Sequence, residues 1–270
     1  MKKIGLFYLS KNVSNIESFL KIVQDAISSF EIDCQVIDGN NFETNNLQEL
    51  ELLITLGGDG TILHAANIIR QFCLPILAVS LGHLGFLAEI TLDQCKESIA
   101  KILAQDFFYD TRKFLSSSNN SDETLFALNE FVLDGRRHRL VEMDVYVNDL
   151  FLTTYKADGL IVSTSTGSTA YNLSSGGPII FPDVELLVLT PISPHSLTVR
   201  PLIVSGKDVL KINFREQDVV LLRDGQQQLL NSGEMRIQLS DETVKFIRFN
   251  RSGFMDGLVN KLNWNGKFHP

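Results

Sequence analysis

Residues 52 to 66 read LLITLGGDGTILHAA and set one carboxylate, Asp59, among Gly57, Gly58 and Gly60. An apolar run precedes the glycines, and apolar residues at helical spacing follow them. Strand, glycine turn and helix together can hold phosphate. The free N–H groups of a helix N-terminus face the anion, and glycine lets the backbone come close to it. The two common versions of such a loop are absent. The chain has no G-x-x-x-x-G-K-[ST], and no G-x-G-x-x-G follows its first strand. A carboxylate here would repel a bound phosphate unless a cation or a hydroxyl lies between them. Asp59 therefore reads as an acid that takes a proton from a hydroxyl, next to a phosphate donor carrying Mg²⁺. The alternative is a plain helix cap.

The elements around this loop alternate. KIGLFYL is a short apolar run, and the next segment repeats Ile16, Phe19, Leu20, Val23, Ile27 and Phe30 at helical spacing, with Ser14 as N-cap. CQVI, LELLITL and PILAVS read as strands, and TILHAANIIRQF as a helix. Thr91-x-x-Gln94 is a capping box that opens another helix. Such alternation predicts an α/β domain over residues 1–105, a parallel sheet with flanking helices. After Asp106 the period becomes two. The run LVEMDVYVNDLFLTTY alternates on both sides of Asn148-Asp149, a hairpin signal. DVLKINF, VVLLRD, MRIQL and VKFIRF are further strands separated by polar turns. Residues 106–250 are expected to form a β-rich, β-sandwich-like domain. The tail, 251–270, is expected to pack back on the first domain.

With 44% hydrophobic and 21% charged residues, the composition is that of a globular protein with ample core material. No stretch approaches the ~20 apolar residues of a membrane span, and MKKIGLFYLSKN reads as a first strand and not a signal peptide. A net charge of −8 provides no field for nucleic acid. Cys34, Cys73 and Cys95 are odd in number and far apart, which fits a reducing cytoplasm. The five histidines lack metal-ligand spacing, so no protein-held metal is expected.

The string GGDGT, residues 57–61, occurs in NAD kinases, in diacylglycerol and sphingosine kinases and in relatives of phosphofructokinases. In lipid kinases the loop runs on into Asn-Glu, whereas here it runs into ILHAAN. GHLGFLAEI (82–90), ALNEFVL (127–133), DGLIVSTSTGSTAYNLSSGGPII (158–180) and TPISPHSLTVRPLIVS (190–205) all resemble the bacterial NAD kinase family. The resemblance runs through nearly the whole chain in the same order. It implies the NAD kinase fold and transfer of the ATP γ-phosphoryl group to the 2′-hydroxyl of the adenosine ribose of NAD. It also implies Mg²⁺ carried with ATP, polyphosphate as a donor in some members, and a homotetramer or homodimer. A lipid kinase would need membrane attachment, and no basic amphipathic helix or lipidation signal is present. A non-catalytic dinucleotide sensor would lose the acid, and Asp59 is present.

By that resemblance, Asp59 is the general base and also holds the ribose, while Gly57, Gly58, Gly60 and Thr61 cradle the donor phosphates. Phe86 lies beside adenine; the alternative is a core Phe. Asn129 and Glu130 match the family's Asn-Glu pair and read as polar interruptions inside an apolar strand, the alternative being a solvated edge. Asp158 binds one end of NAD, or is a turn residue. Thr166, Thr169, Ala170, Tyr171, Asn172, Leu173 and Ser174 match the adenine pocket, with the tyrosine as a stacking face. Ser165 stands where the family usually has Pro. Lys156 stands where many members have Arg, keeping the charge without the fork. Arg139, in GRRHR, matches across a one-residue gap and reads equally as a solvated turn. Ser193 and Gln226 match by spacing positions that touch the nicotinamide half.

Overall fold

The apolar runs of the first hundred residues become parallel strands covered on both faces. The computed structural model describes the chain apart from residues 13–14, 42–46, 83–84, 119–123, 136–139, 215–218, 231–232, 263 and 265–270. Its first elements are β1 (Lys3–Tyr8), α1 (Ile16–Ser28), β2 (Asp33–Asp38), β3 (Leu52–Leu56), α2 (Asp59–Ile69), β4 (Ile76–Ser80), β5 (Ile90–Thr91) and α3 (Cys95–Leu103). The next are β6 (Phe108–Ser118), β7 (Thr124–Ala127), β8 (Glu130–Gly135), β9 (Val141–Val147), β10 (Leu150–Ala157) and β11 (Gly159–Ser163). The last are α4 (Tyr171–Ser174), β12 (Leu186–Ile192), β13 (Leu202–Ser205), β14 (Leu210–Phe214), β15 (Val219–Arg223), β16 (Gln226–Leu230), β17 (Gly233–Arg248) and α5 (Gly253–Lys261). The chain divides into two compact units, Met1–Thr111 with Val244–Pro270, and Arg112–Thr243.

In the first unit β2, β1, β3 and β4 lie side by side in parallel. The end of β17 adds in parallel to β4, with Phe246 opposite Ile76. One face of the sheet, including Ile4, Leu6, Ile54 and Val79, packs on Val23 and Ile27 of α1 and on Ile99 and Ile102 of α3. On the other face the Phe7 ring lies 6.1 Å from the His64 ring of α2. The runs LLITL and ILAVS are buried at every residue, as strands covered on both sides must be. The Thr91–Gln94 capping box is present, with the Thr91 N–H donating to Gln94 Oε1 at 3.0 Å. The Ser14 cap lies outside the described residues.

The second unit is antiparallel. One sheet has the order β10-β9-β14-β17, and the other β13-β12-β11-β8-β15-β16. Their inward residues share one core: Met143, Val145, Ile212 and Ile237 from the first sheet, and Phe131, Leu133, Leu160 and Leu189 from the second. Alternating strands thus give a sandwich. Asn148 (φ 51°) and Asp149 (φ 63°) form the two-residue turn between β9 and β10, the conformation that a tight hairpin requires.

One expectation fails here. MRIQL and VKFIRF are not two strands with a polar turn between them; β17 runs unbroken from Gly233 to Arg248. Each half has its own partner, which keeps the polar middle extended. Met235 and Ile237 lie opposite Ile212 and Leu210, and Phe246 lies opposite Ile76.

β17 ends on a buried ion-pair network. The Arg248 guanidinium donates to Glu89 and Asp110, each at 3.1 Å, and to the Leu87 carbonyl at 2.9 Å. Glu89 in turn accepts the N–H groups of Phe249 and Asn250. Removing one member of such a buried set strands the others and costs about 3–5 kcal/mol. Arg248→Met is therefore expected to lower the urea midpoint markedly, and an unchanged midpoint would show that the network contributes nothing.

Candidate functional site

α2 begins at Asp59, with Gly58 as its N-cap residue. Gly57 has φ +154°, and a Cβ there would fall 2.4 Å from Thr61 Oγ1, so the turn needs glycine. Gly58 and Gly60 differ: a Cβ at either meets nothing within 4 Å among the described residues. Nothing in the described fold demands glycine at these two positions.

The Asp59 carboxylate does not cap its own helix. It accepts the N–H groups of Phe86 at 3.1 Å and Leu87 at 3.3 Å, in the segment that follows β4. This is possible because residue 85 is glycine; a Cβ there would sit 1.8 Å from Asp59 Oδ1. Two acceptor sites of the carboxylate are engaged and others are left for a hydroxyl. The Phe86 ring is half-buried and is not a core side chain. Lys261 Nζ lies 3.9 Å from its centroid, and the Phe254 ring lies 6.2 Å away.

In the second unit LFALNEFVL is two strands and not one. Leu128 and Asn129 form a bend between β7 and β8, and Glu130 opens β8. The Asp224 carboxylate holds the bend by accepting the N–H groups of Leu128 (2.7 Å), Asn129 (2.8 Å) and Glu130 (3.3 Å). Asn129 and Glu130 are each only 7% exposed, and β8 is an inner strand, so the solvated-edge alternative is excluded. Asn129 Oδ1 and Glu130 Oε2 have no partner in the described structure. Buried acceptors without donors are costly unless a ligand supplies them. Burial first, then the charge of Asp224, pushes the Glu130 carboxyl up to about 8, while the Tyr171 N–H pulls it down.

The loop after β11 packs on this bend. The Thr164 N–H donates to the Asn129 carbonyl at 2.9 Å, and a Cβ on Gly167 would lie 2.3 Å from that same oxygen. The buried Arg112 donates to Thr166 Oγ1 at 3.1 Å. Ser165 keeps φ at −58°, the value proline would impose, and its hydroxyl donates to the Val184 carbonyl. A hydrogen bond thus supplies the rigidity of the missing ring.

The remaining candidates divide. Tyr171 is 39% exposed, and its N–H reaches Glu130. Burial, Asp134 and Asp158 raise the pKa of its hydroxyl, which brings Asp158 into the same neighbourhood. Thr169, Ala170, Leu173 and Ser174 flank it on the same short turn and helix. Asn172 also has a structural task. It is fully buried, donating to Ser168 and Pro178 carbonyls and accepting from Thr190 Oγ1 at 2.7 Å, so its amide braces the loop. Lys156 is exposed and paired with Glu142 at 2.5 Å. Ser193 (φ 45°) is exposed two residues before His195, whose N–H bonds the Lys156 carbonyl. Gln226 accepts Arg223 Nη2 at 2.7 Å. Arg139 lies outside the described residues. Asp224 was missed because R-D-G reads as an ordinary turn; Arg112, Arg248 and Lys261 carried no local signal.

Two family models match this chain: the ATP-NAD kinase N-terminal domain over residues 17–107, and the ATP-NAD kinase C-terminal domain over residues 128–249. The chain belongs to the NAD kinase family. The NAD kinase of Clostridium botulinum (strain Loch Maree / Type A3) is 34% identical over an alignment of 279 residues, covering 99% of this chain and 98% of its own. That of Caldanaerobacter subterraneus subsp. tengcongensis is 42% identical over 221 residues, 78% of each chain. The crystal structure of yeast NADH kinase complexed with NADH superposes with a TM-score of 0.86 at 26% identity, covering 100% of this chain and 89% of that one. In this NAD kinase family member the Asp59 loop and Phe86 fall within the first match, and the bend at Asn129–Glu130 within the second. Helix α5 lies beyond both.

The raised Glu130 pKa has a thermodynamic sign. An unfolded Glu ionises near 4.5, the folded one near 8. Between these values the native state holds the extra proton, so stability falls as pH rises through the interval and is level above it. Glu130→Gln removes this dependence. The thermal midpoint of the variant is expected to exceed that of the wild type increasingly from pH 5 to pH 8, and parallel curves would refute the assignment.

Proposed function

We propose that this chain transfers the γ-phosphoryl group of ATP to the 2′-hydroxyl of the adenosine ribose of NAD, giving NADP. The observation that carries the reading is Asp59: an acid at a helix N-terminus, held by two backbone N–H groups beside two glycines that the fold does not require. Among the described residues no three His, Cys, Asp or Glu side chains gather to hold a metal. In this reading Mg²⁺ arrives as part of the MgATP substrate.

Asp59 accepts the 2′ proton as that oxygen bonds to the γ-phosphorus. The bond to the β–γ bridging oxygen breaks, and ADP leaves with the electron pair. The backbone N–H groups of Gly58 and Gly60 are assigned to the donor phosphates, while that of Thr61 is already given to the Gly58 carbonyl at 2.9 Å. The orphaned oxygens of Asn129 and Glu130 meet hydroxyl or amino donors of the nucleoside, and a protonated Glu130 can itself donate. Thr166, Tyr171 and Asp158 complete that half, with Tyr171 presenting its ring. Ser193 and Gln226 are assigned to the nicotinamide half, and Lys156 to NAD binding through its charge. We place the enzyme in the cytoplasm as a homotetramer or homodimer. Leu150 (75% exposed) and Phe151 (59%) at the β9–β10 hairpin support an apolar contact with a second copy. No described helix is long and apolar enough to cross a membrane.

Purified protein with MgATP and NAD is expected to yield NADP, detected with an NADP-specific dehydrogenase. No product, with polyphosphate also tried, would sink the reading. Asp59→Asn should keep NAD binding and lose about 10²–10⁴-fold in turnover. Normal turnover would return Asp59 to a structural role. Gly60→Ala gives a sign reversal. Inside the first turn of α2, alanine stabilises by about 0.5–1 kcal/mol, so the melting temperature should hold or rise. The new methyl obstructs the phosphates, so the KM for ATP should climb; an unaffected KM would mean that the donor binds elsewhere.

A further inference from the structure

Asp59 and the donor phosphates are both anions, and transfer brings them together. The Mg²⁺ carried with ATP would offset part of this repulsion. A protein cation on the acceptor side of the reacting phosphorus would offset more of it. α5 supplies one. Its last residue, Lys261, holds Nζ 3.9 Å from the Phe86 ring centroid. Phe86 is the residue whose N–H reaches Asp59 at 3.1 Å. The Asp59 carboxylate is close enough to act electrostatically on the Lys261 ammonium, though burial outweighs it and holds that group below its ordinary pKa.

The ring face matters. A cation seated on an aromatic ring is positioned without being neutralised, unlike Lys101 on Glu97 or Lys156 on Glu142 in the same chain. α5 is fixed on that ring by more than the lysine. Phe254 packs 6.2 Å away, and a Cβ on Gly257 would lie 3.4 Å from Phe86 Cδ1. The competing account is that a lysine in the last turn of a helix merely complements the helix dipole. That account explains neither the seat on Phe86 nor the proximity to Asp59.

We infer that the Lys261 ammonium is a catalytic cation that contacts the phosphoryl group as it passes to the acceptor hydroxyl. The inference rests on the reading of Asp59 as the base. The Phe86 ring aims the ammonium, and the hydrogen bond from the Phe86 N–H ties that aim to the acid. The contact is made to phosphoryl oxygens, so it strengthens as negative charge moves onto them in transfer. The C-terminal helix thereby becomes part of the site, although it lies outside both matched family domains.

Full-length wild type is first shown to make NADP, so a failure of the parent reading is visible separately. Lys261→Met, which keeps length and ring contact, is expected to lower kcat on the order of 10- to 100-fold. Its NAD dissociation constant and melting temperature should stay near wild type. Lys261→Arg should recover part of the loss. Lys245→Met, which removes a cation seated on the Tyr109 ring, is the matched control and should leave kcat unchanged. A kcat for Lys261→Met within twofold of wild type would overturn the inference. So would a loss of NAD affinity at unchanged kcat, which would make the lysine a prop for Phe86. Unmodified enzyme offers a second measurement that no folding defect can obscure. Acetylation of Lys261, followed by mass spectrometry, should slow several-fold with MgATP and not with NAD alone. Equal rates with and without MgATP would also overturn it.

Discussion

The two hydrogen bonds from the N–H groups of Phe86 and Leu87 to Asp59 organise the first unit around its acid. They join the loop after β3 to the segment after β4, which parallel pairing has already made neighbours. Backbone donors fix the carboxylate more firmly than flexible side chains would, because their positions follow from the sheet. The arrangement then propagates. Leu87 donates to Asp59 with its N–H and accepts from Arg248 with its carbonyl, so the acid is two bonds from the end of β17. Phe86 donates likewise and presents its ring to α5. Segments far apart in sequence thus meet at one carboxylate.

The second unit uses the same device for another purpose. There Asp224 collects three N–H groups from the bend at residues 128–130. With the backbone satisfied, the side chains of Asn129 and Glu130 keep acceptors that nothing in the described structure fills. Asp224 also adds to the burial that raises Glu130. One aspartate therefore both shapes the bend and helps keep its neighbour protonated. The result is a buried carboxyl able to donate as well as accept, unusual chemistry to maintain without a ligand.

What was legible in sequence follows from range. Period 3.6 and period two are local, so the α/β part, the β-rich part and the Asn148-Asp149 hairpin could be read directly. The glycine loop was equally local. The misread features depend on partners far along the chain. Ser240–Thr243 looks like a turn until both halves of β17 have found their neighbours. The bracing role of the Asn172 amide emerges only when Thr190, Ser168 and Pro178 reach it. Asp224, Arg248 and Lys261 are unremarkable letters whose meaning comes only from what folding brings beside them. Ser165 shows the converse, a departure in sequence that leaves the backbone angle of the expected proline intact.

The glycines near Asp59 show how the two demands on the site separate. Gly57 and Gly85 answer to the fold: one holds a positive φ against Thr61, and the other admits the carboxylate. Gly58 and Gly60 meet nothing that forbids a side chain; at 58 glycine is a favourable N-cap, whereas at 60, inside the first turn, it weakens the helix. A destabilising residue with no structural task is best explained by an approach that a side chain would block. The phosphates of a donor are the group that a helix N-terminus attracts. Asp59 sits between the two kinds of glycine. Its carboxylate is held from the Gly85 side by backbone, and its helix opens on the other side through Gly58 and Gly60. A carboxylate fixed by the fold, beside a strip of backbone left bare for an anion, is the division of labour that the proposed phosphoryl transfer to a hydroxyl would use.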